Sequence, residues 1–583
     1  MKKSKKFVLA ALALLAITGL LALAGCKNDS VPEPTRYTVK FDKGDNSEYT
    51  GDLPADITVV SGTKLTAEQL KVLDSTDNYI FEGWYDGENK AEGGTYTVTK
   101  DVTLVAKWRD RGTVASVTFS PAGDTKFYCD ESIAVSLTSE EGATIQYHLG
   151  DGSWKAYTAD TTISITGDTT ITTITAKATK DGLKPSAETT ATYTVRKLEG
   201  ITVTPPARTV YSVGEEVVHQ KDEKIEVTAT YDDEEERTVT GTITTDTSTL
   251  TQSAGIGKTV TVSYTEGETP KTTTFTVTVF PAEVKVLTGY TSPNNTDDSW
   301  TYVEFGEWPQ TILKGDVTVY EDKSKEMGMF TYYLGSDGNY YVKVTAKPYE
   351  DTYTYSDGNP VEEDEVVYFK VEPIVWRVLN KDYASTGKAL LLAESILTGG
   401  IKWADSSNNY MQSYIRQWLN GNSGTEETSD YGGDAGFLQT AFAQSARKLI
   451  ADTTVDNTAA STTDAGNNLP QATDYACANT TDKIFLLSEK EATNSEYGFA
   501  AYDAYGKGST RIRVTTDYAE ATEAYQSLTE GYGGWWWLRS PYYDLVYNGF
   551  IVRGIFDNGI ADNYSSVFNT EGGVVPALSI SLQ

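Results

Sequence analysis

Between Tyr37 and Phe280 threonine and apolar side chains alternate in short runs, as in Thr173-Ile-Thr-Ala-Lys-Ala-Thr-Lys180 and Thr274-Phe-Thr-Val-Thr-Val-Phe280. A period of two sends successive side chains to opposite faces, so this part of the chain can bury its apolar set only as β-sheets. At 583 residues the whole chain exceeds what one hydrophobic core supports. The alternating part accordingly divides into modules at 37–109, 113–196 and 198–281. The first runs from Tyr37-Thr-Val-Lys-Phe41 to Thr97–Trp108, with Phe81-Glu-Gly-Trp-Tyr85 between, and Trp84 and Trp108 are expected in its core. In the third, Asp232-Asp-Glu-Glu-Glu236 falls where a solvated hairpin loop belongs.

The N-terminus carries a different signal. Met1-Lys-Lys-Ser-Lys-Lys6 is basic, Phe7–Leu20 is almost unbroken apolar sequence, and Leu23-Ala-Gly-Cys26 ends it in small residues before a cysteine. Residues 1–25 resemble the signal peptide of bacterial lipoproteins. That resemblance implies lipidation of Cys26, a tether over 26–36, and a membrane partner reached through the lipid. Lys27 after the cysteine points to an outer-membrane, cell-surface location. The formal charge of −33 opposes nucleic acid and anionic lipid surfaces, so no nucleic-acid partner is expected. No EF-hand spacing of Asp and Gly occurs, Glu362-Glu-Asp-Glu365 reads as a solvated loop, and no metal ligand set is assigned. Cys129 and Cys477 lie far apart and imply no disulfide framework.

The first module resembles the B-repeat of bacterial surface proteins of the internalin type. The second, with Ile145-Gln-Tyr-His-Leu-Gly-Asp-Gly-Ser153, resembles the Ig-like C-terminal domain of chitobiase-type enzymes. The third, with Ile201-Thr-Val-Thr-Pro205 and Ile225-Glu-Val-Thr-Ala-Thr-Tyr-Asp232, is similar to bacterial Ig-like domains. Three such modules in series imply a stalk.

Residues 298–583 lose the threonine alternation and mix periods. Tyr410–Asn420 places Tyr414, Ile415, Trp418 and Leu419 on one helical face, and Phe437–Ile450 predicts a second helix. Strands are expected at Val371–Leu379, Ala389–Ala393, Lys483–Leu487 and Gly534–Leu538. In the last, Trp535 and Trp537 share one face and Trp536 takes the other, which predicts a central strand covered on both sides. Phe305-Gly-Glu-Trp-Pro-Gln-Thr311, Pro373-Ile-Val-Trp-Arg-Val-Leu379, Ser413–Asn420, Asp482-Lys-Ile-Phe-Leu-Leu-Ser488, Trp536-Trp-Leu-Arg-Ser-Pro541 and Gly573-Val-Val-Pro-Ala-Leu578 resemble, in order, a bacterial family with a C-type-lectin fold of the formylglycine-generating-enzyme-like form. The resemblance implies a multidomain chain of three small β-rich modules followed by an α+β C-type-lectin-like domain, with Trp535, Trp536, Trp537, Arg539 and Pro576 as its scaffold. It departs at Val575, where the family has arginine, and that puts the seating of the last strand in question.

After Pro541 the 27 residues Tyr542–Phe568 contain no Lys, Glu, Gln, Met or Trp. Those five residues cannot arise from asparagine codons changed only at adenine. The pattern is similar to variable proteins of diversity-generating retroelements, whose targets include lipid-anchored surface proteins. It implies a diversified ligand-binding face, and the run is rich in the Tyr, Ser, Gly and Asn that antibody loops use. The candidate contact residues are Tyr542, Tyr543, Asp544, Tyr547, Asn548, Phe550, Arg553, Phe556, Asn558, Asp562, Asn563 and Tyr564. The expected partner is a protein or glycan ligand, either diversified or fixed.

Enzyme chemistry is poorly provided for. The only histidines, His148 and His219, lie in the β modules, so the terminal domain lacks a Ser-His-Asp or Cys-His system and a His-ligated metal. No cysteine follows Cys477, so the cysteine-dependent chemistry of formylglycine-generating enzymes does not carry over. A carboxylate pair of the glycosidase type remains open. The expectation is a binding protein without cofactor or catalytic residues.

Overall fold

The computed structural model describes residues 32–167, 171–267, 269–294, 299–421, 435–458, 477–501, 509–542, 550–561 and 563–582. The leader and Cys26 lie outside the described residues. The chain divides into two compact units, one ending at Arg196 and the other beginning at Lys197. Strand dominates both, and the described α-helices all follow Asp382.

The first unit holds two β modules. Arg36–Asp42 sits between Ile57–Val60 and Val102–Asp110, and the sheet continues through Tyr79–Asp86 to Asn89–Ala91. Its alternation does what period two requires: Val102, Leu104 and Ala106 are buried while Thr103 and Val105 are exposed. Trp84 is buried and donates its indole N–H to Lys71 O at 2.8 Å; Trp108, half-buried, donates to Lys43 O at 2.8 Å. The second module has two sheets, one of Ile163–Thr166, Ser132–Thr138 and Thr118–Ser120, the other centred on Thr144–Leu149, Ile171–Thr179 and Thr189–Val195. Val135, Leu137, Ile163 and Ile165 share one core with Ile145, Tyr147, Ile174 and Tyr193, the two-sheet packing that buries one face of each.

The second unit opens with a six-stranded sheet in the order Leu198–Thr202, Lys224–Tyr231, Glu236–Ile243, Gly255–Glu266, Thr269–Phe280, Val210–Ser212. The acidic run forms the turn between Lys224–Tyr231 and Glu236–Ile243, as its solubility demands. Phe280, Val284 and Val286 then enter the core of the terminal domain. Ser212 closes the junction: its hydroxyl donates to Val284 O at 3.1 Å and accepts from Val286 N at 2.8 Å.

The terminal domain is built on one large sheet. The long strand Val366–Val378 pairs with Tyr340–Thr345 near its start and Lys388–Ala393 near its end, and on its other edge with Tyr302–Ile312. Lys285–Leu287 pairs with Tyr302–Ile312, so the sheet begins ahead of residue 298. Ala577–Ser581 returns from the C-terminus to lie between Lys388–Ala393 and Ile484–Phe485. Val575 is buried and Pro576 O accepts from Ala393 N at 3.0 Å, so the last strand is seated with valine at position 575.

Several motifs hold one another through single polar groups. Trp308, Trp376, Trp403 and Trp536 are fully buried, and their indoles donate to Leu397 O, Phe305 O, Leu538 O and Arg511 O. Burying a ring gains apolar area, and the carbonyl removes the penalty on its N–H. The helix Tyr414–Asn420 buries Ile415, Trp418 and Leu419, and Ser413 caps it. It starts later than its periodicity predicts, because Tyr410–Gln412 forms a separate 3₁₀ turn. The predicted Phe437–Ile450 helix is two short ones, Phe437–Ala441 and Gln444–Arg447, broken where Phe442 and Ala443 become extended.

Candidate functional site

Trp536–Pro541 does not join the large sheet. It forms one edge of a small sheet with Ile551–Ile555 and Asn563–Ser566. The expectation of a central strand is therefore corrected, although every residue of Trp536–Pro541 is buried. Cover comes from irregular backbone: Trp537 N donates to Gly573 O at 3.0 Å, and Arg539 N to Leu487 O at 3.0 Å. Trp535 and Trp537 share a face as period two demands, their rings edge to face at 4.7 Å. Gly572 has to be glycine beside them, since a Cβ there would lie 2.3 Å from the Trp537 ring.

Two guanidinium–carboxylate pairs, one buried on both sides and one with a partly exposed glutamate, anchor this sheet to the short helix Glu489–Ala492. Ser488 and Glu491 form a capping box at its N-terminus. Arg539 grips Glu491 with both terminal nitrogens, one of them 3.0 Å from Oε1, and donates to Leu486 O at 2.7 Å. Burial works against the Arg539 charge, but the neighbouring Glu491 carboxylate outweighs it and holds the guanidinium above its ordinary pKa. Arg553 reaches Glu489 at 2.8 Å, with 5% and 0% of the two side chains exposed.

Arg553 was expected among the ligand contacts. The small sheet turns it inward, where it is 4% exposed and pairs with Glu489. The guanidinium lies 4.9 Å from the centroid of the Tyr542 ring, and Tyr542 stacks on Tyr564 at 4.4 Å with the planes 17° apart. A chain thus runs outward from Glu489 through Arg553 and Tyr542 to Tyr564, which is 48% exposed. Beside it Phe550 and Phe568 stack at 5.8 Å and 27°, exposed by 41% and 51%. Val567 N donates to Phe550 O, and Tyr542 N to Ile551 O, which brings both pairs to the same end of the sheet.

Among the described residues, the exposed aromatics are Phe550, Phe556, Tyr564 and Phe568, with Trp154 and Tyr349 elsewhere. Phe556 lies at the other end of Ile551–Ile555, before a turn in which Asn558 Oδ1 accepts from Ile560 N at 3.1 Å. Asn558 is therefore half-buried and occupied with its own turn. Tyr543, Asp544, Tyr547, Asn548 and Asp562 lie outside the described residues, and for Asn563 only the backbone, paired opposite Gly554, is described. Phe568, Glu489 and Glu491 were not singled out in the sequence. The Ser488-Glu-Lys-Glu491 capping signature marks the helix that carries both glutamates.

Residues 386–582 match a protein-family model described as Domain of unknown function (DUF6273). The matched span contains the aromatic face and its anchors but not the Phe305 motif. No curated protein matches the chain. Among solved structures, the fibronectin(III)-like modules of CbhA from Clostridium thermocellum are 18% identical, covering 30% of this chain and 100% of that one, with a TM-score of 0.14. Sidekick-1 immunoglobulin domains 1–4 are 11% identical, covering 42% and 68%, and domains 1–5 are 10% identical, covering 62% and 71%; both have TM-scores of 0.14. Likenesses of that quality carry no argument about this fold.

Among the described residues no group of three or more His, Cys, Asp or Glu could hold a metal ion, and no helix is long and apolar enough to cross a membrane.

Proposed function

We propose that the chain is an exported, lipid-anchored binding protein of the cell surface, whose terminal domain presents a diversified aromatic face to a protein or glycan. The observation that carries this reading is the paired stacking of Tyr542 on Tyr564 and Phe550 on Phe568 at the solvent boundary, above a buried Arg553–Glu489 pair. Solvent-exposed aromatic area on a monomer is unfavourable unless a partner covers it, and rigid rings lose little entropy on binding. The return of Ala577–Ser581 beside Lys388–Ala393, with a separate small sheet carrying the face, supports a C-type-lectin-like reading of the terminal domain. The β modules supply reach, Cys26 the lipid anchor, and no cofactor takes part.

The test probes arrays of bacterial and host surface proteins and of glycans with residues 27–583, beside a Phe550→Ser/Tyr564→Ser/Phe568→Ser variant. A ligand captured by the parent and lost by the folded variant is the expected result. Undiminished capture by the variant would place binding elsewhere.

A further inference from the structure

We infer that the terminal domain carries a second ligand site, a cleft of about 750 Å³ on the large sheet that takes a neutral oligosaccharide segment. Its volume falls in the range of sites that enclose whole small molecules. The floor is the sheet itself, where Leu390 and Ser579 face each other across the Lys388–Ala393 and Ala577–Ser581 pair, with Phe485 alongside. One wall is the Asn380–Thr386 turn, another the strand Thr453–Val455, and a third the segment Glu491–Tyr497. None of the aromatic-face residues lines it.

The chemistry of the lining selects the ligand. Thr454, Ser495, Tyr497 and Ser579 offer hydroxyls, which both donate and accept and so match the hydroxyls of a sugar. Leu390, half-buried on the floor, gives an apolar patch for the C–H face of a pyranose ring, with the buried Phe485 packed behind it. The charges at the mouth are balanced, Lys381 and Lys388 against Asp382 and Glu496, while Glu491 is already paired with Arg539. A cleft with no net charge has no electrostatic reason to select an ion over a neutral polyol. It also shares a support with the aromatic face, because Glu491 lines the cleft while Glu489, on the same short helix, holds Arg553.

The experiment titrates residues 27–583 with neutral tri- and tetrasaccharides of glucose, mannose, galactose and N-acetylglucosamine in α and β linkages, followed by ligand-observed NMR and calorimetry. Three variants accompany the parent: Thr454→Arg, which sends a long side chain from an exposed wall position into the cleft, Glu496→Gln, and Tyr564→Ala on the aromatic face. At least one sugar is expected to bind, weakened by roughly tenfold or more in Thr454→Arg and unchanged in Tyr564→Ala. Circular dichroism melting confirms that each variant is folded. Binding lost in Tyr564→Ala but kept in Thr454→Arg would overturn the cleft assignment while supporting the aromatic face as a glycan site. Absence of binding by every sugar in the panel would overturn it outright and leave the aromatic face untouched.

Discussion

Tyr564 and Trp536 show why aromatic residues close in sequence have opposite roles. Trp536 is fully buried with its N–H on Arg511 O, so Trp536→Ala removes ring packing and orphans a carbonyl, an expected loss of about 3–5 kcal/mol in urea unfolding. Tyr564→Ala, at a half-exposed ring, is expected to lose about 1 kcal/mol or less. Arg553→Met leaves Glu489 buried without its partner and is expected to lose about 3–5 kcal/mol, much of it restored when Glu489→Leu is added. That double-mutant recovery distinguishes a positioning arginine from a ligand contact. Glu520 gives a pH signature. Burial pushes its carboxyl up to about 7, opposed by the Thr515 hydroxyl at 2.7 Å and reinforced by Asp517. The folded state therefore holds the proton more tightly than the unfolded chain, whose glutamates titrate near about 4.3. Its contribution is fully present below that value and is lost as pH rises through about 7. Unfolding midpoints measured between pH 5 and 8 should decline with pH in the parent and decline less in Glu520→Gln.

Among the elements, strands that alternate or run apolar were legible where period and burial coincide: Lys388–Ala393 falls where the pattern of Leu and Ala places it, and Val366–Val378 covers nearly all of the expected Val371–Leu379 but starts ahead of it, at Val366. The face-sharing of Trp535 and Trp537 was legible for the same reason. Which sheet their strand joins was not, since pairing partners are set by tertiary register rather than local period. The burial of Arg553 was not legible, because an arginine in a Tyr, Asn and Gly run looks solvated, and its partner Glu489 lies far away in sequence. Helix length misled at Phe437–Ile450, where burial of Phe442 against Phe305 at 4.9 Å outweighs the helical pattern. The Glu489–Ala492 helix is too short to stand alone, so its cap matters. Ser488→Ala is expected to lose about 1 kcal/mol in the same urea assay and to loosen the Glu491 hold on Arg539.

At the scale of the molecule, the third β module and the terminal domain share one core through Phe280, Val284 and Val286. A fragment from residue 197 should melt like the full chain's terminal transition, whereas one from residue 298 lacks Lys285–Leu287 and should melt lower or fail to fold. The proposed function divides the last stretch of chain, with Trp535–Pro541 as scaffold and Tyr542–Phe568 as a face that can change. Within Tyr542–Phe568, residues Ile551 to Ile555, Gly559, Ala561 and Val567 are buried. Deep sequencing of the coding DNA for residues 530–583 from many isolates tests that division most directly. If it holds, substitutions cluster in the codons of Tyr542–Phe568 and fall on the first two bases, where an asparagine codon carries its adenines; they are heaviest at Tyr542, Phe550, Tyr564 and Phe568, absent from Trp535–Pro541, and spare the buried positions. An invariant segment, or changes spread evenly over all bases and over buried and exposed positions alike, would contradict it.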